Sequence, residues 1–389
     1  CSISASAITG VLPAREFHWS TVSNIQIAMK IINLYKRFVC RVWCLLTLPM
    51  LLCSCFYEHP ELTAEGEKGI DPTSVTLNTN LTLHFKMPAL ESGKEPIDNP
   101  VGEAETPQYR HRFIVEAYLD RVFVARQVVY RDVVKDGSEG ITVPVSMKLH
   151  ARFYEIAVWA DYVPLPDEED GLNGAEDYFY NTTSGHLASI YNSGTYHGNN
   201  EYKDAFCGST EVDLEDFRDQ WGGQKMLDVE LKRPVARLQF TANDVAGFLK
   251  QHGDAAGKTL SFVARLRYNN YLDVGYNVLE RLPRHGLLYL QCDRTFKTDQ
   301  LTAGEPFPLV FDYVFAPDEK NVSIPVTLEI LDSTKEKVLA STSFNVFGRA
   351  GFYTDVTYGF LTADPDGGII FDPSFDGESE IEVPVHPQK

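Results

Sequence analysis

The strongest pattern along the chain is an alternation over residues 75–87, VTLNTNLTLHFKM. Val75, Leu77, Leu81, Leu83, Phe85 and Met87 fall on one side; Thr76, Asn78, Asn80, Thr82, His84 and Lys86 fall on the other. A period of two over this length predicts a long strand with one buried face. Segments 111–119, 121–130, 141–149 and 152–163 continue the series, punctuated by Gly, Asp and Pro as turns require. A second series is expected at 228–240, 259–268, 286–292, 308–315, 323–331, 337–347, 352–362, 368–372 and 379–385. Short helices are expected near 211–221 and at 243–251, the latter capped by Asn243 or Asp244. No amphipathic helix is long enough to cover a sheet, and no βαβ rhythm is present. The pattern therefore predicts an all-β chain of two tandem β-sandwich domains with a few short helices. They are expected at 73–227 and 228–389. Two stretches interrupt the strands: a Pro- and Glu-rich loop at 88–108, and a loop-rich excursion at 164–224 carrying Tyr178, Phe179, Tyr180, Tyr191, Tyr196 and Tyr202.

The front of the chain reads differently. Lys30, Lys36, Arg37 and Arg41 lead into the apolar run at 42–53, which is too short to span a bilayer as a helix. A charged front followed by such a run reads as a signal peptide. It ends in Leu52-Cys53-Ser54-Cys55, which resembles a bacterial lipobox and implies lipidation of the Cys55 thiol. Met29 is the expected start, residues 1–28 reading as upstream read-through. Residues 55–72 are then a polar tether between lipid and first domain.

Composition narrows the function classes. The 389 residues are 44% apolar and 23% charged, a globular mixture with a net charge of −19. An acidic surface of this size argues against nucleic acid as a partner. Five of the seven cysteines lie at or before Cys55, which fits neither a disulfide scaffold nor a zinc site and leaves only Cys207 and Cys292 in the body. The sequence holds no HExxH pair, nucleophile elbow, P-loop or dinucleotide fingerprint, so neither enzyme chemistry nor a cofactor or metal is expected. Tyr178, Tyr180, Tyr191 and Tyr196 could stack on a sugar or a protein surface, although rings packed beneath a long loop are the simpler expectation.

Several phrases carry a family resemblance: Arg112-Phe113-Ile114-Val115-Glu116-Ala117-Tyr118, Val158-Trp159-Ala160-Asp161-Tyr162, Asp204-Ala205-Phe206 and Leu231-Lys232-Arg233-Pro234-Val235-Ala236-Arg237. GFYTDVTYGFLT at 351–362 and FDGESEIEV at 375–383 follow. Together these resemble the fimbrillin-like cell-surface lipoproteins of Bacteroides-type bacteria over most of residues 72–385. The resemblance implies transthyretin-like sandwiches, no catalysis, and a structural or adhesive role as a pilus subunit or accessory anchor or tip protein. It places the protein on the outer membrane through Cys55, or in a fimbrium, with other fimbrial subunits or host and bacterial surface ligands as partners. It also implies assembly by strand exchange, in which the first strand, 75–87, is replaced by a neighbour's strand after proteolysis at an Arg in the following loop. Here that loop contains only Lys94, so the implied cleavage site moves to Arg110, or the chain is not processed. The alternative is a glycan- or protein-binding surface lipoprotein that does not polymerise.

Overall fold

The computed structural model describes residues 74–90, 93–98, 109–133, 140–166, 177–220, 222–253 and 258–365. All of them fall in one compact unit, Asp71–Lys389. The signal peptide, Cys55, the tether, and the strands expected at 368–372 and 379–385 lie outside the described residues.

The chain forms β1 (Ser74–Leu83), β2 (Tyr109–Leu119), β3 (Val122–Asp132), β4 (Ile141–His150), β5 (Phe153–Pro164), β6 (Tyr180–Asn181), β7 (Ile190–Asn192), β8 (Phe206–Asp213) and β9 (Gln224–Leu231). It continues with β10 (Val235–Ala242), α1 (Val245–His252), β11 (Ser261–Tyr268), β12 (Leu272–Asn277), β13 (Leu282–Leu287), β14 (Gln291–Lys297), β15 (Phe307–Phe315), β16 (Val322–Asp332), β17 (Val338–Gly348) and β18 (Tyr353–Tyr358). The protein is all-β, with α1 the one α-helix among the described residues.

The first sandwich packs the sheet β4-β1-β9 on the sheet β3-β2-β5-β8. Its core holds Val75, Leu77, Leu81 and Leu83 from β1 against Phe113 and Val115 of β2 and Ile156 and Val158 of β5. The second packs β15-β10-β18 on β14-β11-β16-β17 around Leu238, Phe240, Phe262, Leu328 and Phe344. The two share a plan. In each, the opening strand is central in a three-stranded sheet, antiparallel to one neighbour (β4 or β15) and parallel to the closing strand (β9 or β18). Matching strand for strand, β1, β2, β3, β4, β5, β8 and β9 correspond to β10, β11, β14, β15, β16, β17 and β18. What is left over is one insertion from each sandwich: β6 and β7 from the first, the β12–β13 hairpin from the second. These insertions join as a further sheet, β13-β12-β7-β6.

The departures from the sequence expectations have local causes. The run 228–240 splits because Pro234 has no N–H to give to a ladder, so β9 ends at Leu231 and β10 starts at Val235. β9 pairs with β1 over Thr76↔Gln224 to Leu83↔Leu231 and so straddles the division placed at 228. The strand expected at 286–292 is split: 286–287 end β13, 291–292 begin β14, and the chain turns between them where Tyr289 takes φ 62°. The helix expected near 211–221 is the end of β8 followed by a 3₁₀ turn, Glu215–Phe217. β8 lies in the excursion read as loop; it forms because it pairs with β5 from Phe153↔Asp213 to Ala160↔Phe206. The helix at 243–251 is found as α1. Asp244 precedes it, but its carboxylate accepts from the backbone N–H of Leu361 (3.2 Å) and Thr362 (2.7 Å) rather than capping the helix.

Candidate functional site: a strand groove and its polar latch

β1 occupies the slot between β4 and β9. Its register with β4 runs from Ser74↔His150 to Leu83↔Ile141. Val75, Leu77, Leu81, Leu83, Phe85 and Met87 are all buried, as the alternation predicts. Each is worth about 1.5–3 kcal/mol by transfer from water. Thr79 stands on the same buried face at 1% exposure, and its hydroxyl has no partner.

The strand stops at Leu83, short of the expected 87: residues 84–86 keep the alternation of buried and exposed positions but give their carbonyls to one side chain instead of a ladder. The Arg233 guanidinium donates to the carbonyls of His84 (3.3 Å), Phe85 (2.7 Å) and Lys86 (3.3 Å). Its Nε donates to both carboxylate oxygens of Asp204, at 3.0 and 2.9 Å. Arg233 also lies 4.5 Å over the Phe206 ring, whose edge meets Phe85. Arg233 is 6% exposed and Asp204 is fully buried, so this is a desolvated pair with its fork filled by main chain. Burial pushes the Asp204 carboxyl up, and Arg233 pulls it back. The segment then runs onto the second sandwich: Met87 and Ile97 exchange backbone hydrogen bonds, Tyr353 donates to the Pro88 carbonyl at 3.0 Å, and Leu90 donates to that of Tyr353 at 2.8 Å.

Two more buried pairs flank the latch. Lys203 reaches Asp312 at 2.8 Å, and Glu201 accepts from Arg237 and from the Tyr313 hydroxyl. A short turn, Glu201–Lys203 with Asp204 behind it, thus sends two charges into the second sandwich and a third to the connector before it, each met by its opposite. On the outer face of β2, Arg112 grips Asp161 through two hydrogen bonds at 2.8 and 2.6 Å, and Glu116 accepts from the Leu187 N–H at 2.8 Å. These polar residues hold the excursion down.

The remaining expected site residues fall as follows. Arg110 lies inside β2, paired with Asp132 on one side and Val163 on the other, its guanidinium 3.8 Å over Tyr130. The peptide bond after it is therefore in the middle of a sheet, not in an exposed loop where proteases cut. Tyr180 is buried and donates to the Lys203 carbonyl at 2.6 Å; Tyr196 donates to Asp312 and lies under the Lys203 ammonium. Both hydroxyls are pushed well up by burial. The Tyr180 ring is internal, and the Tyr196 ring is partly buried against the second core. Tyr178 is half-buried, stacked on His197, and Tyr191 is half-buried with an edge toward His285. Cys207 and Cys292 are both free and buried, and burial pushes the Cys207 thiol up to about 12. Among the described residues no group of three or more His, Cys, Asp or Glu is placed to hold a metal.

The latch itself was not singled out from sequence, although both halves of it stand in the phrases Asp204-Ala205-Phe206 and Arg233-Pro234. A charged residue wedged among apolar ones at the end of a predicted strand was the available signal.

Residues 72–385 match the model of a family of unknown function, DUF6562. No curated protein matches the chain. Among solved structures, a candidate adhesin from Bacteroides ovatus is similar at 12% identity over 72% of this chain and 78% of that one, with a TM-score of 0.38. The fimbrial anchor protein Mfa2 from Porphyromonas gingivalis shows 11% identity over 70% of this chain and 82% of that one, TM-score 0.35. A fimbrial assembly protein from Parabacteroides distasonis shows 11% identity over 73% and 91%, TM-score 0.34.

Proposed function

The chain belongs to the DUF6562 family, and we propose that this member is a fimbrillin-like structural and adhesive protein of the cell surface that works by strand exchange. The observation that carries the reading is the position of β1. It opens the described fold yet is central in its sheet, with β4 on one side and β9 on the other. Withdrawing it leaves two facing strands with unmade hydrogen bonds and an apolar trough, which another extended segment of the same pattern fills.

The placement of Arg110 within β2 favours an unprocessed chain, and hence an anchor or tip protein rather than a repeating stalk subunit. Such a protein enters assembly with its own first strand in the slot, to be displaced by a partner's, and is held to the outer membrane by lipid on Cys55. Its partners are other fimbrial subunits or a surface ligand. The burial of Tyr180 and the partial burial of Tyr196, with both hydroxyls engaged, weigh against glycan binding through these two rings.

N-terminal analysis of the protein recovered from bacterial membranes tests the reading. A lipid-blocked Cys55 is the expected result. A new terminus at His111, or recovery of an unmodified soluble form, would overturn the anchor assignment.

A further inference from the structure

We propose that the Arg233–Asp204 pair is a binding site for the main chain of whichever extended segment fills the slot between β4 and β9, and that it reads three successive carbonyls rather than side chains. The inference deepens the strand-exchange reading and rests on it. The occupant is an extended segment with apolar residues alternating as Val75, Leu77, Leu81 and Leu83 do, continuing at least three residues past the end of the ladder. Residues 74–87 of the chain itself are the resident example.

The geometry supplies the reasons. Residues 84–86 lie immediately past the end of the ladder, and their three carbonyls take both terminal nitrogens of Arg233. The remaining Nε is committed to Asp204, which fixes the plane of the fork, and the Phe206 ring supports it from one face. Guanidinium suits this task because its donors are splayed in a rigid plane. With the slot empty, those donors lose three carbonyl acceptors held in a fixed array and fall back on water, and a strand of sufficient length restores the array. Side-chain pockets along β1 select an apolar rhythm; the latch selects length. Arg233 stands between β9 and β10 and Asp204 just before β8, so filling the slot also orders the connection between the two sandwiches.

The test uses the full chain carrying a protease recognition sequence placed within residues 99–108 and cut after folding. Fluorescent synthetic peptides of residues 74–83 and 74–87 then compete for the slot, in the wild-type protein and in Arg233→Lys. Lysine keeps the charge beside Asp204 and loses the fork. Truncating the peptide at Leu83 is expected to weaken binding at least tenfold more in the wild type than in Arg233→Lys, because only the wild type has a partner for the lost carbonyls. An equal truncation penalty in the two proteins would overturn the latch while leaving strand exchange standing. If neither peptide enters either protein, strand exchange itself fails and the latch with it. Hydrogen exchange on the uncut chains guards against misfolding. Arg233→Lys is expected to lose protection in β1 and retain it in β11 and β16; unchanged protection in β1 would count against the site.

Discussion

At the scale of single residues, the buried polar groups are the informative ones. Thr79 keeps an unpartnered hydroxyl on the core face of β1. Thr79→Val removes it at nearly constant shape, so the variant is expected to be more stable by about 1 kcal/mol in urea denaturation. His111 is another case. It is 1% exposed, packed 4.3 Å from the Tyr162 ring, and burial lowers its pKa from 6.5 to about 4. The unfolded chain takes up a proton at 6.5 and the folded chain only near 4. Stability from a neutral His111 is therefore fully present above pH 6.5 and is lost as the pH falls to about 4, by about 3 kcal/mol in all. His111→Phe is expected to flatten that part of the stability–pH curve, and subtracting the two curves separates His111 from the carboxylates. The apolar residues of β1 were legible from sequence because alternation marks a face. The roles of Arg112, Glu116, Asp204 and Arg233 were not, because a charge in a strand normally marks the solvent side. Here each is buried by an element far away in sequence.

At the scale of elements, strands with one exposed face were placed well, β4 and β16 among them, since their polar and apolar positions alternate as the sheet faces do. β2 and β5 are buried on both faces, one toward the first core and one toward the excursion, and their bounds come from the Gly, Asp and Pro that punctuate the segments. β8 and β12 were missed: FCGSTEVD and LDVGYN have turn-like composition, and only pairing with β5 and β13 makes them strands. β1 remains the element on which the functional reading turns. Leu81 is fully buried at its centre, so Leu81→Ala is expected to cost about 2–5 kcal/mol in a denaturant titration. A loss below 1 kcal/mol would mean that β1 contributes little to the first core.

At the scale of the molecule, the seven-strand plan occurs twice, yet no repeat is visible in the sequence. Burial patterns constrain hydrophobicity and not identity, so two copies of one topology need share no letters. The charged turn at 201–204 is the polar counterpart of that duplication, joining the first copy to the second. Asp312 accepts from Lys203, Tyr196 and Tyr268 and is fully buried. Asp312→Ala leaves the Lys203 ammonium without a counter-charge, and a loss of about 3–5 kcal/mol is expected by calorimetry. A smaller loss would show that water reaches Lys203.

The sheet built from the two insertions has a mechanical meaning. Ile190 and Tyr191 pair with Tyr276 and Gly275, a second tie between the sandwiches besides the short connector at 232–234. Under tension applied between the two sandwiches, the connector does not act as a lone hinge. Part of the load passes through this stitch, which must shear before the two sandwiches can swing apart.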